Sequence, residues 1–337
     1  MLAPLASASL AFLVVYILLF FALCVLLTVR RAPQKLLWLL MLNHVLLRLA
    51  AQSTGLAFAT RERDIRSLIA YSLLSAQGQY TLLLCFVHTL VAWQAEYWKP
   101  KVSRSPSRWA SGGAEWTWLV VGFDLILILA DMVIVAGAVL SGTTYSDPSR
   151  TPSQMRGRLA TGKWLRTGGQ SAFWLLTLAL LVPVCITIHR HRRRRYDQST
   201  ERESDISLVS KGQPSHEVEK RPWFGHAVLG LLLLTWPFLV VRGIWGVLQA
   251  AVPDLNVSVP QLGSVAEIEV MLTWILSWKQ YFDSERYDAD GFTGQFVVEE
   301  ACMVTLMEFC AAVLLTAVLL VWRRGPRHRD DSSETTV

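Results

Sequence analysis

Five ionisable residues lie near the centres of long apolar segments of this chain, where charged side chains are rare. They are Arg48, Asp124, Asp131, Arg242 and Glu308. An ionised side chain at the middle of a bilayer costs about 2.5–3.5 kcal/mol even on insertion-based scales, so its presence indicates a function or a partner. Two arginines and three acids can bind a polar group, transfer a proton or neutralise one another. These residues therefore predict an interior polar site.

The polar residues around these charges recur at helical spacing. His44, Arg48 and Gln52 are four residues apart and form one stripe on a helix. Asp124 and Asp131 are seven residues apart, which places them on one helical face about 10 Å apart along the axis. Both patterns indicate side chains that face the interior of a helical bundle.

Depth and backbone chemistry point to the same region. Counting the helical rise from each segment midpoint puts four charged residues within about 6 Å of one depth: Arg48, Asp131, Arg242 and Glu308. Pro237 removes one backbone hydrogen bond, and we expect it to kink its helix and free a carbonyl toward the interior. The predicted catalytic residues are Asp124, Asp131 and Glu308, with Asp131 or Glu308 as the general acid. The predicted substrate-binding residues are His44, Arg48, Gln52, Trp236, Arg242 and Glu300.

Seven apolar segments must position these residues. The chain has 337 residues, of which 53% are hydrophobic, and seven segments reach the roughly 17–25 residues that a membrane helix needs. The predicted spans are 7–29, 36–59, 68–94, 116–140, 171–188, 225–250 and 298–322. Because only helices satisfy their backbone polar groups in lipid at these lengths, we predict one all-α domain of seven transmembrane helices over residues 1–322.

The loop charges predict an orientation. Twenty Lys and Arg residues fall on one side of the predicted spans and ten on the other, which includes a rather basic loop over 141–170. This bias places the N terminus in the lumen or outside the cell and the C terminus in the cytosol. It also accounts for the net charge of +6 without a nucleic-acid partner. The first segment is expected to remain as a signal anchor, in the endoplasmic reticulum or the plasma membrane.

Three regions outside the spans have their own character. Residues 189–222 are predicted to form a disordered basic cytosolic loop, and residues 323–337 a disordered tail. Residues 251–297 form a predicted lumenal loop with an interfacial helix, rich in aromatic side chains. Asn256 begins an N-x-S sequon in that loop and is a predicted glycosylation site.

Several kinds of function are compatible with an intramembrane polar site. A membrane enzyme can use a buried carboxylic acid to protonate an epoxide or alkene of a lipophilic substrate. A transporter or a receptor for a lipophilic small molecule also fits, although the chain has neither an internal repeat nor an Asp-Arg-Tyr or Asn-Pro-x-x-Tyr motif. The plain alternative is a structural ion-pair network. No spacing typical of a metal site or a nucleotide loop occurs, so we expect no metal and no cofactor.

A resemblance adds to these alternatives. The segment 236–242, WPFLVVR, is similar to the P-F-L-x-V-R block of fungal seven-span integral membrane proteins. The last span, with Met307, Glu308 and Phe309 at its centre, and the stripe from His44 to Gln52 also resemble that group. Some of its members occur beside indole-diterpene and other terpenoid secondary-metabolite pathways. The resemblance implies a part in such a pathway, with an acid-initiated terpene cyclase as one activity and pathway enzymes of the same membrane as partners.

Overall fold

The computed structural model describes residues 4–29, 35–60, 65–97, 110–145, 151–193, 223–251, 287–288, 291–292, 298 and 300–324. Seven helices account for nearly all of them, and the prediction of an all-α bundle is confirmed at this level. The helices are α1 (Pro4–Val29), α2 (Lys35–Thr60), α3 (Ile65–Tyr97), α4 (Ala110–Tyr145), α5 (Pro152–Ala179), α6 (Trp223–Ala251) and α7 (Met307–Arg324). A second helical stretch over 181–193 continues α5, and a π-helical segment, Ala301–Leu306, leads into α7.

Within the described ranges, six helical segments are long and apolar enough to cross a membrane. The remaining helix, α3, has 33 residues but carries several glutamines and a histidine, which lower its hydropathy. It contacts α2, α4, α5, α6 and α7, so five neighbours surround it. A helix sheltered from lipid in this way can carry polar residues that a lipid-facing helix cannot. The outer helices instead expose large apolar side chains, as lipid-facing surfaces do, for example Leu18, Phe21, Leu129 and Met132.

The fifth helix corrects the predicted loop over 141–170. α4 continues to Tyr145, and α5 already begins at Pro152, a residue that favours the first helical turn because it has no N–H to satisfy. The early start is possible because α5 packs closely along α4. A Cβ on Gly162 would stand 2.8 Å from the Gly137 carbonyl oxygen, and a Cβ on Gly169 would stand 2.8 Å from that of Ala130. Small residues at such a contact let two membrane helices approach.

Two prolines lie within the later helical segments. α5 ends at Ala179, four residues before Pro183, whose ring clashes with the carbonyl at that distance. Pro237 lies within α6, but its ring is exposed, and Leu233, four residues earlier, is also exposed. The expectation that Pro237 frees a carbonyl toward the interior is therefore wrong, because the affected face is the outer one.

A small hairpin is the one β element in the described residues. Tyr287–Asp288 pairs antiparallel with Gly291–Phe292, with Tyr287 opposite Phe292. It falls in the region predicted as a lumenal loop. Residues 189–193 of the predicted disordered loop and residues 323–324 of the predicted disordered tail are instead helical. The rest of that loop, the rest of that tail and the predicted interfacial helix lie outside the described residues.

Candidate functional site

The centre of the bundle holds one carboxylate between two guanidiniums. Glu308 on α7 accepts from the Arg242 Nε of α6 at 2.6 Å, and its other oxygen pairs with Nη2 of Arg48 on α2. Their side chains are 0%, 2% and 1% exposed, respectively. Charge-assisted hydrogen bonds are stronger than neutral ones, but burial of the ions carries a desolvation cost that the pairing must offset. The core ion network, as we call Arg48, Arg242 and Glu308, therefore links three helices and carries one net positive charge.

A glycine on the central helix makes room for this network. A Cβ at Gly78 would stand 2.8 Å from Cζ and Nε of Arg48 and would run into the Glu308 carboxylate. Carbon atoms in contact normally keep about 3.5–4.0 Å. The absence of a side chain at Gly78 thus allows the charged groups to lie directly against α3.

The π-helical segment sets the rotation of Glu308 relative to Glu300. In a uniform α-helix, eight residues turn about 80° beyond two full turns, which would separate these two side chains. A π turn takes up one additional residue, so the same eight residues complete close to two turns. Ala301–Leu306 is π-helical, and both acids are buried. Glu300 accepts from the Tyr71 hydroxyl at 3.0 Å and from Gln249 Nε2 at 3.3 Å.

The predicted stripe on α2 faces the interior. His44, Arg48 and Gln52 are all buried. His44 Nδ1 lies 2.8 Å from Thr81 Oγ1, and that hydroxyl also donates to the Gly78 carbonyl at 3.0 Å. The Thr81 hydroxyl therefore links the stripe on α2 to the backbone of α3. The ring of Tyr16 packs edge-on against His44, with centroids 6.5 Å apart.

The acids of α4 form a second group, between α3 and α4. Asp131 accepts from Gln77 Nε2 through both oxygens, at 2.8 and 3.0 Å. Asp124 Oδ2 lies 3.2 Å from His88 Nε2, and these two side chains are 25% and 26% exposed. Neither acid pairs with an arginine in the described part of the chain. The five predicted charged residues are thus divided: three form one ion-paired network in the core, and the two aspartates share the α3–α4 seam.

Of the other predicted site residues, Trp236 is engaged in a contact between helices and Asn256 lies outside the described residues. The Trp236 indole of α6 donates to the Thr177 carbonyl of α5 at 2.8 Å, one turn before the helix break, so this ring is already engaged in joining two helices. Asn256 lies outside the described residues, and its glycosylation stays a prediction. Across the described ranges, no group of three or more His, Cys, Asp or Glu side chains has a geometry that can hold a metal ion.

Sequence reasoning missed one further polar group. Gln79 and Gln170 are buried near Arg242, and Trp174 lies with them at the junction of α3, α5 and α6. Gln79 sits in the same polar helix as Gln77, which was a usable signal. Gln170 and Trp174 were harder to find, because Gln170 fell in the predicted loop over 141–170 and Trp174 near the start of the next predicted span.

Comparison with known proteins yields no family model, no curated relative and no solved structure that matches this chain. The site is therefore interpreted from its own geometry, and the resemblance to fungal seven-span proteins stays a prediction.

Proposed function

We propose that this protein is a multi-pass membrane enzyme that acts on a lipophilic substrate, with Asp131 as its general acid. The observation that supports the proposal is the position of Asp131, a half-buried carboxyl group on a helix whose neighbouring side chains, Leu129 and Met132, are exposed and apolar. A carboxyl group is costly on a lipid-facing helix and is retained there for function by default. A substrate dissolved in the bilayer can reach it sideways.

The α3–α4 seam has the groups that acid-initiated cyclisation requires. Gln77 orients the Asp131 carboxyl group through both oxygens. The protonated acid donates to an epoxide oxygen, the C–O bond opens, and alkene π electrons close the rings. Loss of a proton from the final cation then returns the proton lost at the start, so the reaction is an isomerisation and needs no co-reactant. The Asp124–His88 pair, on the same two helices, is the candidate base that collects that proton, and transfer of the proton from this pair to Asp131 restores the acid for the next turnover.

The core ion network takes a supporting role in this proposal. Glu308 was a predicted acid on the same grounds as Asp131, but it is held between two guanidiniums. Each of its two oxygens is already paired with a guanidinium, so neither is free to approach a substrate. Arg48, Arg242 and Glu308 then hold α2, α6 and α7 in register around α3, and Asp131 carries the chemistry.

Product formation in membranes tests the proposal. Isolated membranes that contain the wild-type protein are incubated with an epoxy-prenyl substrate, and the cyclic product is measured. In parallel, the metabolites of the host that lacks the gene are profiled. We expect Asp131→Asn to abolish the cyclic product while the uncyclised precursor accumulates, and Gln77→Leu to reduce the rate. Thr143→Ala, on the same helix and bonded to its own backbone at the Val139 carbonyl, is the matched control. If the Asp131→Asn variant is folded and still forms the cyclic product at the wild-type level, Asp131 is not the general acid.

The wider proposal is a part in terpenoid secondary metabolism within the endoplasmic reticulum or plasma membrane, beside other pathway enzymes. It rests on the resemblance described above and on the orientation that the loop charges predict. Loss of one terpenoid on gene deletion, restored by wild type and not by Asp131→Asn, supports it.

A receptor or transporter for a lipophilic small molecule is the second candidate. The π-helical segment Ala301–Leu306 favours it, because π turns are frequent at functional sites and place a weakly bonded turn next to Glu308. In that case the ion network would exchange partners between two states. This candidate would be favoured if gene deletion leaves the metabolite profile unchanged and if the protein takes up a lipophilic small molecule in a way that Glu308→Gln abolishes.

A further inference from the structure

A second polar cluster adjoins the core ion network on the far side of Arg242. Helix α6 presents Gly243 and Gly246, three residues apart, toward α3 and α5. A Cβ at Gly243 would stand 3.1 Å from Gln79 Nε2 and 3.1 Å from Trp174 Cδ1. A Cβ at Gly246 would stand 2.5 Å from Gln170 Oε1 and 3.0 Å from Arg242 Nη1. Four polar side chains from three helices therefore converge on one glycine-lined face, which we call the α6 glycine cluster.

Five polar atoms of this cluster lack a hydrogen-bond partner in the described part of the chain. They are both amide atoms of Gln79, Oε1 of Gln170, Nε1 of Trp174 and Nη1 of Arg242. Gln79, Gln170 and Arg242 are 0%, 6% and 2% exposed, so bulk water does not satisfy them. Proteins rarely leave buried polar atoms unbonded, and a group of them in one place calls for a ligand that the site is built to bind.

The chemistry of the cluster favours an anion with two acceptor atoms. Arg242 Nη1, Gln79 Nε2 and Trp174 Nε1 are donors from three different helices, and Gln170 can turn its amide to add a fourth. Arg242 uses Nε for Glu308 at 2.6 Å, so its guanidinium joins this cluster to the core ion network. That network has two guanidiniums and one carboxylate, and a ligand carboxylate would cancel its remaining positive charge.

We propose that the α6 glycine cluster binds the carboxylate headgroup of a lipophilic acid, whose apolar tail lies between membrane helices. This site is distinct from the proposed acid at Asp131. Gln77 and Gln79 are two residues apart on α3 and project about 200° from each other, toward α4 and α6, respectively.

Direct binding tests the proposal without any turnover. The full-length protein in nanodiscs is titrated by calorimetry with dodecanoate, and with dodecanol and acetate as comparisons. We expect saturable binding of dodecanoate, at least about tenfold weaker binding of dodecanol because it brings no charge, and no binding of acetate because it brings no tail. Saturable acetate binding would indicate a site for small free carboxylates and overturn the lipophilic part of the proposal.

Variants separate a ligand site from a structural one. Gln79→Leu and Gln170→Leu should each weaken dodecanoate binding about tenfold and leave the melting temperature of the ligand-free protein unchanged or higher, because they remove buried groups that have no partner. Gln94→Leu is the matched control on α3. Gln94 donates to Thr187 Oγ1 at 2.6 Å, so this change should lower the melting temperature and leave dodecanoate affinity intact.

Besides saturable acetate binding, three results would overturn the proposal: no saturable binding of dodecanoate, equal binding of dodecanol, or destabilisation by Gln79→Leu and Gln170→Leu as large as that of Gln94→Leu. The last result would show that the amides serve the fold. Because binding is read without product formation, any of these leaves the assignment of Asp131 intact, and failure of the cyclase assay leaves this site intact.

Discussion

Replacement of Glu308 by leucine should be the most destabilising single change in the described core. Glu308 is the shared partner of Arg48 and Arg242, and all three side chains are almost fully buried. Removal of one partner from a buried ion pair costs about 3–5 kcal/mol, mainly because a charge is left uncompensated. Here one substitution leaves two guanidiniums without that carboxylate, so the cost lies at or above this range.

The magnitude can be read as a melting temperature. In a chain of this size, 3–5 kcal/mol corresponds to a decrease of roughly 5–15 °C in apparent Tm. The assay is thermal unfolding of purified protein in nanodiscs, monitored as the loss of the monodisperse peak in size-exclusion chromatography. One fixed heating rate is used, because membrane proteins often unfold irreversibly.

A triple variant isolates the charge effect from the loss of packing. Arg48→Met, Arg242→Met and Glu308→Leu together remove every charge of the network and keep its volume. Replacement of a complete buried ion network by apolar side chains is often neutral or stabilising by about 1–4 kcal/mol. We therefore expect the triple variant to recover most of the Tm that Glu308→Leu loses.

Asp131→Asn is the control, since it lies on the α3–α4 seam and keeps an acceptor for Gln77. It should shift the Tm by less than about 3 °C, which corresponds to about 1 kcal/mol or less. A wild-type Tm for Glu308→Leu would refute the argument that the carboxylate compensates two buried charges. A triple variant as unstable as Glu308→Leu would show that the network does more than balance charge.

Two further predictions follow from the same contacts. Gly78→Ala should lower the free energy of unfolding by about 1–3 kcal/mol, because its Cβ would stand 2.8 Å from the Arg48 guanidinium carbon. Gly230→Ala is the control, because nothing lies within 4 Å of its Cβ. It should raise the free energy of unfolding by about 0.5–1 kcal/mol through helix propensity. Equal Tm values for the two variants would contradict the close approach at Gly78. Trp236→Phe should cost about 1 kcal/mol by removing the bond to the Thr177 carbonyl at 2.8 Å, and if this tryptophan only lines a substrate site, thermal unfolding will instead show no change.

Local patterns in the sequence predicted the helices and several of their inner faces. The spacing of His44, Arg48 and Gln52 places them on one face, and all three are buried. This works because the α-helical repeat is a property of the chain itself, and because lipid tolerates no other backbone structure over such lengths. The ion-pair network that the sequence analysis kept as an alternative has a counterpart in the core, where Arg48 and Arg242 both pair with Glu308.

Which residues meet was decided by the tertiary structure. Depth along the membrane put Asp131 level with the arginines, but rotation about the helix axis places it against Gln77 instead. Glu308 reaches its partners through a π-helical segment that shifts its angular position and that leaves no clear mark in the composition.

The early start of α5 likewise depends on glycines that pack against α4, and Pro237 lies on the outer face because of how α6 is rotated against its neighbours. The sequence by itself therefore determined which segments are helical and which residues are polar enough to need partners. Relative rotation and close approach between helices depend on contacts between residues far apart in the chain, and these selected the partners.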